Sequence, residues 1–445
     1  MKNQVKGFMF YVAFIASLGG LLFGFDTAVI SGAEKAIQAI YELGDFSHGF
    51  TMATALIGTI VGALLCGAPT ERYGRLPSLR IIAALYFISA LGSALIINWY
   101  SFMFFRFMGG LAVGASSVVG PMYIAEISPS NWRGRFVAFF QFNIVLGIVL
   151  AYLSNYFISG VSNDWQWMLG VCSVPALAFL LLLFTVPESP RWLVHHAQEK
   201  KAHAILVKTG EPRVEQEINE IKQSLVSTGA AGGRLFQKQY SKPILIAFLI
   251  ATFNQLAGIN AILYYAPRIF ELSGVFREGA LIQSIIIGLT NLTFTMIGMV
   301  IIDKVGRKVL IYVGAIGMFL ALSLVSYGFY AEIAGYYMLI CLMSFIAFFA
   351  ISLGATIWVV ISEVFPNSVR AKGQVLGSMT HWVWAAILTW TFPLFLSTKN
   401  EDISIGGTFI FGFFAVAVLC SLFFAMWMPE TKNKSLEQIQ KELTK

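Results

Sequence analysis

Two charged side chains stand where charge is expensive. Asp26 lies inside an apolar run near the start of the chain, and Arg106 opens another such run 80 residues later. A charge at the centre of a membrane span costs about 2.5–3.5 kcal/mol on insertion scales, so such a residue is a functional candidate by default. An acid and a base in one apolar interior suit each other. The cation holds the carboxyl ionised, and protonating the acid dissolves the pair. The alternatives are a structural acid satisfied by its surroundings and an arginine that snorkels to the interface. A second group of charges is repeated. Glu71-Arg72-Tyr73-Gly74-Arg75 recurs as Asp303-Lys304-Val305-Gly306-Arg307. Glu126 stands seven residues before Arg133, as Glu363 does before Arg370, and Pro187-Glu188-Ser189 recurs as Pro429-Glu430-Thr431. The spacing suits a salt-bridge gate in tight interhelical loops, in which Glu71 and Glu126 pair with Arg72, Arg133 or Arg135. The simpler alternative is that the basic residues only set topology.

The elements that must position these residues are membrane helices. Only 12% of the 445 residues are charged and 57% are hydrophobic, against about 25% charged in soluble domains. Apolar runs long enough to cross a bilayer fall at 8–32, 49–70, 78–98, 101–124, 135–157, 166–186, 243–270, 280–302, 308–330, 335–362, 371–397 and 406–428. The first run is too long for a signal peptide. A polar stretch, 188–242, divides six runs from six. Ile205, Ile218, Ile221 and Leu225 within it have the spacing of short amphipathic helices. The expected organisation is a six-helix bundle over 1–187, a helical linker over 188–242, a second bundle over 243–430 and a tail over 431–445.

The net charge of +7 follows the positive-inside pattern. Of the 30 Lys and Arg residues, 25 fall on the side of the termini and the linker, and 4 on the other side. Both termini are therefore expected in the cytoplasm, and the basic excess implies no nucleic-acid partner. Cys66, Cys172, Cys341 and Cys420 lack metal-ligand spacing and read as small core residues. No metal or cofactor is expected. The three repeated motifs have offsets of 232, 237 and 242 residues, which argues for internal duplication. Parallel repeats about a midplane site are an architecture of alternating-access carriers.

In these motifs the chain resembles the sugar porter family of the major facilitator superfamily, over nearly its whole length. The resemblance rests on Gly19-Gly-Leu-Leu-Phe-Gly-Phe-Asp26, Glu71-Arg-Tyr-Gly-Arg75, Arg106-Phe-Met-Gly-Gly110 and Pro187-Glu-Ser-Pro-Arg191. In the second half it rests on Asn254-Gln-Leu-Ala-Gly-Ile-Asn260 with Tyr264-Tyr265, Asn291-Leu-Thr-Phe-Thr295, Asp303-Lys-Val-Gly-Arg307, Glu363-Val-Phe-Pro366 and Pro429-Glu-Thr431. It implies an all-α membrane protein with twelve transmembrane helices in two pseudo-symmetric halves. The implied activity is proton-coupled import of a pentose or hexose, not an enzymatic reaction, by a monomer in the plasma membrane bilayer. Asp26 is implied as the proton site with Arg106 as its partner. Substrate contacts are implied at Asn254, Gln255, Asn260, Asn291 and Trp358, with Phe23 and Tyr264 lining the cavity. Amides both donate and accept, which suits sugar hydroxyls; buried amides that merely tie helices together are the alternative. The implied gate comprises Glu71, Arg72, Arg75, Glu126, Arg133, Glu188, Arg191, Asp303, Arg307, Glu363, Arg370 and Glu430.

The chain departs from the family pattern in informative places. Ile148 and His381 stand where Gln is found, Asn254 replaces the first of two Gln residues, and Ala355 follows Gly354 where Pro is common. Fewer hydroxyl partners in the first half leave room for a less hydroxylated substrate, with His381 as a further contact. A carrier of polyols, cyclitols or other small polar solutes, a uniporter, and a non-transporting sugar sensor are the competing expectations.

Overall fold

The computed structural model describes residues 2–96, 98–129, 132–230, 235–333, 335–366, 369–396, 403–432, 438 and 443. Among them, twelve helices are long and apolar enough to span a membrane: Gly7–Ile40, Asp45–Leu65, Arg75–Leu95, Trp99–Ile127, Arg133–Ile158, Asp164–Leu182, Lys238–Tyr264, Arg277–Val305, Arg307–Tyr330, Tyr336–Glu363, Lys372–Leu396 and Ser404–Trp427. Every expected run has its helix. The described residues contain no strand. Large apolar side chains such as Leu65, Leu95, Phe157, Val300 and Phe409 are exposed, as a chain with lipid for solvent requires; a soluble monomer rarely presents such a surface.

Three departures from uninterrupted apolar runs shape the interior. The first helix runs on to Ile40 instead of ending near residue 32. Ala33, Lys35, Ala36 and Gln38 are good helix formers, so the polar residues end the apolar run without ending the helix. The seventh span is broken into Ser241–Leu256, Ile259–Tyr264 and Ala266–Leu272. Gly258 sits at the first break with φ +87°, left-handed backbone that glycine adopts without strain. The tenth span passes through a π-helical turn, Ala350–Gly354, a distortion often found at functional sites.

By its contacts the chain divides into two compact units that do not follow the sequence halves. One comprises Met1–Thr27, Ile57–Ala151 and Gln166–Gly232; the other comprises Ala28–Leu56, Tyr152–Trp165 and Gly233–Lys445. In the first unit, the first and fifth spans touch backbone to backbone. A Cβ built on Gly24 would lie 1.8 Å from the Ile144 carbonyl oxygen, so no larger residue fits there. The linker folds as Pro190–His195, Glu199–Thr209 and Val214–Ala230. These helices share a small core of Leu193, Val194, Ala202, Leu206, Ile218 and Ile221, with Ile205 packed against it. Leu225, expected on the same face, lies outside the residues whose side chains are described.

Candidate functional site

In the first unit, the two in-membrane charges meet. Arg106 Nη1 donates to Asp26 Oδ1 at 2.6 Å, with Arg106 2% and Asp26 7% exposed. Gly109, one turn along the fourth span, makes room for Ser89 beside the pair: a Cβ there would lie 2.5 Å from Ser89 Oγ, and 3.8 Å from Asp26 Oδ1. Buried Tyr86 and Cys172 are near enough to feel the Asp26 charge. Removing one member of such a pair leaves an uncompensated charge in a low-dielectric interior. Phe23, one turn before Asp26, is half-buried. Ile148, on the fifth span, is buried.

In the second unit, polar side chains gather at the break in the seventh span. Asn254 Nδ2 donates to the Leu353 carbonyl in the π-turn of the tenth span at 3.1 Å. Gln255 Nε2 lies 3.1 Å from Asn254 Oδ1 and 3.1 Å from His381 Nε2. Asn260 Nδ2 donates to Gln255 Oε1 at 2.9 Å. The Trp358 ring lies 5.0 Å from that of His381 and remains 39% exposed. Thus three amides, an imidazole and an accessible aromatic face converge from the seventh, tenth and eleventh spans. Asn291, on the eighth span, is buried and accepts from Thr295 Oγ1 at 3.3 Å. Tyr264 is buried. This arrangement can exchange its internal amide bonds for bonds to a ligand's hydroxyls and can stack an apolar ring face.

The repeated motifs form the same cluster twice, once in each unit. Arg75 donates from Nε and Nη2 to both oxygens of Glu126, at 2.8 and 2.9 Å. Arg307 Nη2 donates to Glu363 Oε1 at 3.0 Å. Ser189 Oγ donates to Glu126, and Thr431 Oγ1 to Glu363. Glu188 accepts from the backbone N–H groups of Arg75 and Leu76, as Glu430 does from those of Arg307 and Lys308. Each carboxylate thereby caps the N-terminus of the third or ninth span, where the helix has spare donors and a positive dipole end. Gly74 (φ +106°) and Gly306 (φ +102°) make the turn in front. Burial pushes the Glu188 carboxyl above its ordinary range, and the backbone donors act against that shift.

The pairing differs from the one expected. Glu126 takes Arg75, not Arg72, Arg133 or Arg135. Arg72 lies over the Tyr73 ring at 5.3 Å, Arg135 lies over Trp132 at 5.0 Å, and Arg133 reaches Glu217 of the linker at 3.2 Å. Arg75 prevails because it starts the third span behind the Gly74 turn, which aims it at the fourth span. Glu71 is exposed, and its carbonyl accepts from Trp192 Nε1 at 2.9 Å. Asp303 is 80% exposed beside Arg307 at 3.1 Å. Arg370 Nε donates to the Phe365 carbonyl, and Arg191 is exposed.

One cluster is missed by the sequence reading, which puts Glu34 in a loop. Glu34, on the extended first helix, is 1% exposed. It meets His48 of the second span at 2.8 Å and Arg268 of the seventh-span region at 3.2 Å. The signal available was the helix-forming run from Ala33 to Ile40, which carries the acid past the apolar segment.

The sequence profile of the family described as "Sugar (and other) transporter" matches residues 12–443. The D-xylose-proton symporter of Escherichia coli (strain K12) is 37% identical over 476 residues, covering 99% of this chain and 97% of that protein. The arabinose-proton symporter of Bacillus subtilis (strain 168) is 37% identical over 451 residues, covering 99% and 96%. Among solved structures, the inward open conformation of the xylose transporter XylE from E. coli aligns with a TM-score of 0.86 at 36% identity, covering 98% of this chain and all of that one. Matching sequence over its whole length, matching fold, and a charge cluster built twice by internal duplication lead to one assignment: the chain belongs to the sugar transporter family of the major facilitator superfamily.

Proposed function

We propose that this protein imports a monosaccharide, a pentose or a hexose, together with a proton, by alternating access. The observation that carries the reading is the buried ion pair of Asp26 and Arg106. A gradient-driven carrier needs a site whose charge changes during the cycle, and this pair supplies one. Deprotonated Asp26 holds Arg106 and disfavours rocking of the sugar-loaded carrier. A proton arriving from outside neutralises Asp26, releases the pair and frees the motion. The names of the relatives, symporters of xylose and arabinose with protons, support the substrate class.

The sugar's hydroxyls are taken by Gln255, Asn254 and Asn260, with Asn291 contributing from the eighth span and His381 from the eleventh. The exposed face of Trp358 receives the apolar side of the sugar ring, and Phe23 and Tyr264 line the path. The duplicated clusters of Arg75, Glu126 and Glu188 and of Arg307, Glu363 and Glu430 are the latches of the cytoplasmic face, with Glu71, Arg72, Arg133, Arg191, Asp303 and Arg370 around them. The termini and the linker face the cytoplasm, on the distribution of basic residues. The protein works as a monomer in the plasma membrane.

Uptake into proteoliposomes across a panel of monosaccharides tests this reading. With the outside acid, a pentose or hexose should accumulate above its external concentration. Equilibration without accumulation would make the protein a uniporter; binding without uptake would make it a sensor.

A further inference from the structure

We propose that Asn254 is a positioning residue of the sugar site: it holds the π-turn of the tenth span, and the π-turn aims Trp358. The inference rests on the sugar-carrier reading above, and it gives Asn254 a task beside its contact with hydroxyls. The tenth span consists of two α-helices, Tyr336–Phe349 and Ala355–Glu363, joined by the π-turn Ala350–Gly354. A π-turn takes up one residue more than an α-helical turn, so everything beyond it is rotated by about 100° around the helix axis. Trp358 stands four residues past Gly354. With the π-turn in place, its ring lies 5.0 Å from that of His381 and stays 39% exposed. With an ordinary turn there, the ring would be carried round by the same angle, off the imidazole.

Proline, the usual cause of such a distortion, is absent from the span. The turn is held by its neighbours instead. From the seventh span, Asn254 Nδ2 donates to the Leu353 carbonyl at 3.1 Å, with both residues buried. From the eighth, Gly298 lets the backbones come close: a Cβ there would lie 3.0 Å from Ile351 Cα and 3.1 Å from Ala355 Cβ. From the ninth, Gly314 makes room for Ser352, whose Oγ a Cβ would meet at 2.0 Å. Ser352 Oγ itself donates to the Phe348 carbonyl at 2.5 Å, a back-bond of the kind that bends helices. Of the three neighbours, the glycines give the turn space and Asn254 gives it a directed bond. Inside a membrane no water stands ready to replace that bond.

The same amide reaches the polar cluster with its other end. Gln255 Nε2 donates to Asn254 Oδ1 at 3.1 Å. One side chain thus fixes both the backbone that carries the stacking ring and an amide that reads hydroxyls. The spacing between that ring and those amides decides which sugar fits, so loosening the turn should blur discrimination as well as weaken binding.

The experiment is a double-mutant cycle on sugar binding by the purified, full-length protein, with xylose and glucose as probes. Asn254→Leu removes the donor without adding charge. It should weaken binding roughly 5- to 150-fold, as the loss of a buried hydrogen-bond partner does. In a Trp358→Ala background the loss should be several-fold smaller, because residues that act through one another are not additive. Gly298→Ala presses on the turn and offers a sugar no polar group, and it should weaken binding too. Equal factors in both backgrounds, or a Gly298→Ala protein that binds as the parent does, would overturn the proposal. A second measurement needs no sugar. In protein labelled with 5-fluorotryptophan, the fluorine resonance missing from Trp358→Phe belongs to Trp358. It should move in Asn254→Leu and in Gly298→Ala, while unchanged resonances of tryptophans outside the cluster show that the variants are folded. A Trp358 resonance that stays in place overturns the aim assigned to Asn254. One that moves in a protein binding neither sugar would support the positioning role and count against the sugar reading instead.

Discussion

The two halves of this chain agree at one end and disagree in the interior. Arg75, Glu126, Glu188 and Ser189 are matched residue for residue by Arg307, Glu363, Glu430 and Thr431, although Arg75 holds both oxygens of Glu126 and Arg307 only one of Glu363. Inside the membrane spans, the Asp26–Arg106 pair of the first unit is not repeated among the polar contacts of the second unit's described residues set out above. The first unit holds a charge pair and the second a set of amides. On the proposed reading, duplication kept the two latches alike and let the proton site and the sugar site diverge. A latch has to be alike on both sides of a rocking axis. A proton site and a sugar site need opposite environments: one a charge that can be switched, the other a fixed set of neutral donors and acceptors.

The largest effect separating the two interiors is expected at Arg106. Arg106→Ala leaves Asp26 buried without its cation, which costs about 3–5 kcal/mol for such a pair. Thermal unfolding at neutral pH should show this as a lowered midpoint. A variant that melts like the parent would mean that the pair stabilises nothing.

The amide side should lose binding and keep its fold. Gln255→Ala removes a hydrogen-bond partner from the polar cluster, a loss of about 1–3 kcal/mol, or roughly 5- to 150-fold in affinity. Calorimetric titration with the transported sugar measures it. Normal affinity would remove Gln255 from the site.

The smallest effects test the agreement between the halves. Glu126→Gln and Glu363→Gln each weaken one charged hydrogen-bond set by about 1 kcal/mol. Both should change the sugar exchange rate in the same direction and to a similar extent. If one is silent and the other abolishes exchange, the clusters are alike in shape only.

What could be read from the sequence divides along similar lines. The spans, the duplication and the break between Asn254 and Asn260 are local patterns, and composition shows them directly. Asp26 and Arg106 stood out because charge is rare in apolar runs, although 80 residues separate them. The partner of Glu126 was harder to read. Four arginines lie within reach of the motif, and only the turn at Gly74 selects Arg75. Glu34 was hidden for a different reason. Hydropathy ends a span where polar residues begin, but the helix continues, and Glu34 is buried by His48 and by Arg268, a residue 234 positions away. No local spacing announces such a contact.

The central claim is that Asp26 couples the proton to the sugar, and Asp26→Asn tests it most directly. A membrane potential supplies about 2.3 kcal/mol per charge per 100 mV, so one proton per sugar supports roughly 50-fold accumulation at about 1.4 kcal/mol per factor of ten. Asparagine imitates the protonated acid permanently. Reconstituted Asp26→Asn should bind sugar and exchange it across the membrane, and should not concentrate it when a proton gradient is imposed. Sugar accumulated by that variant under the gradient would contradict the account.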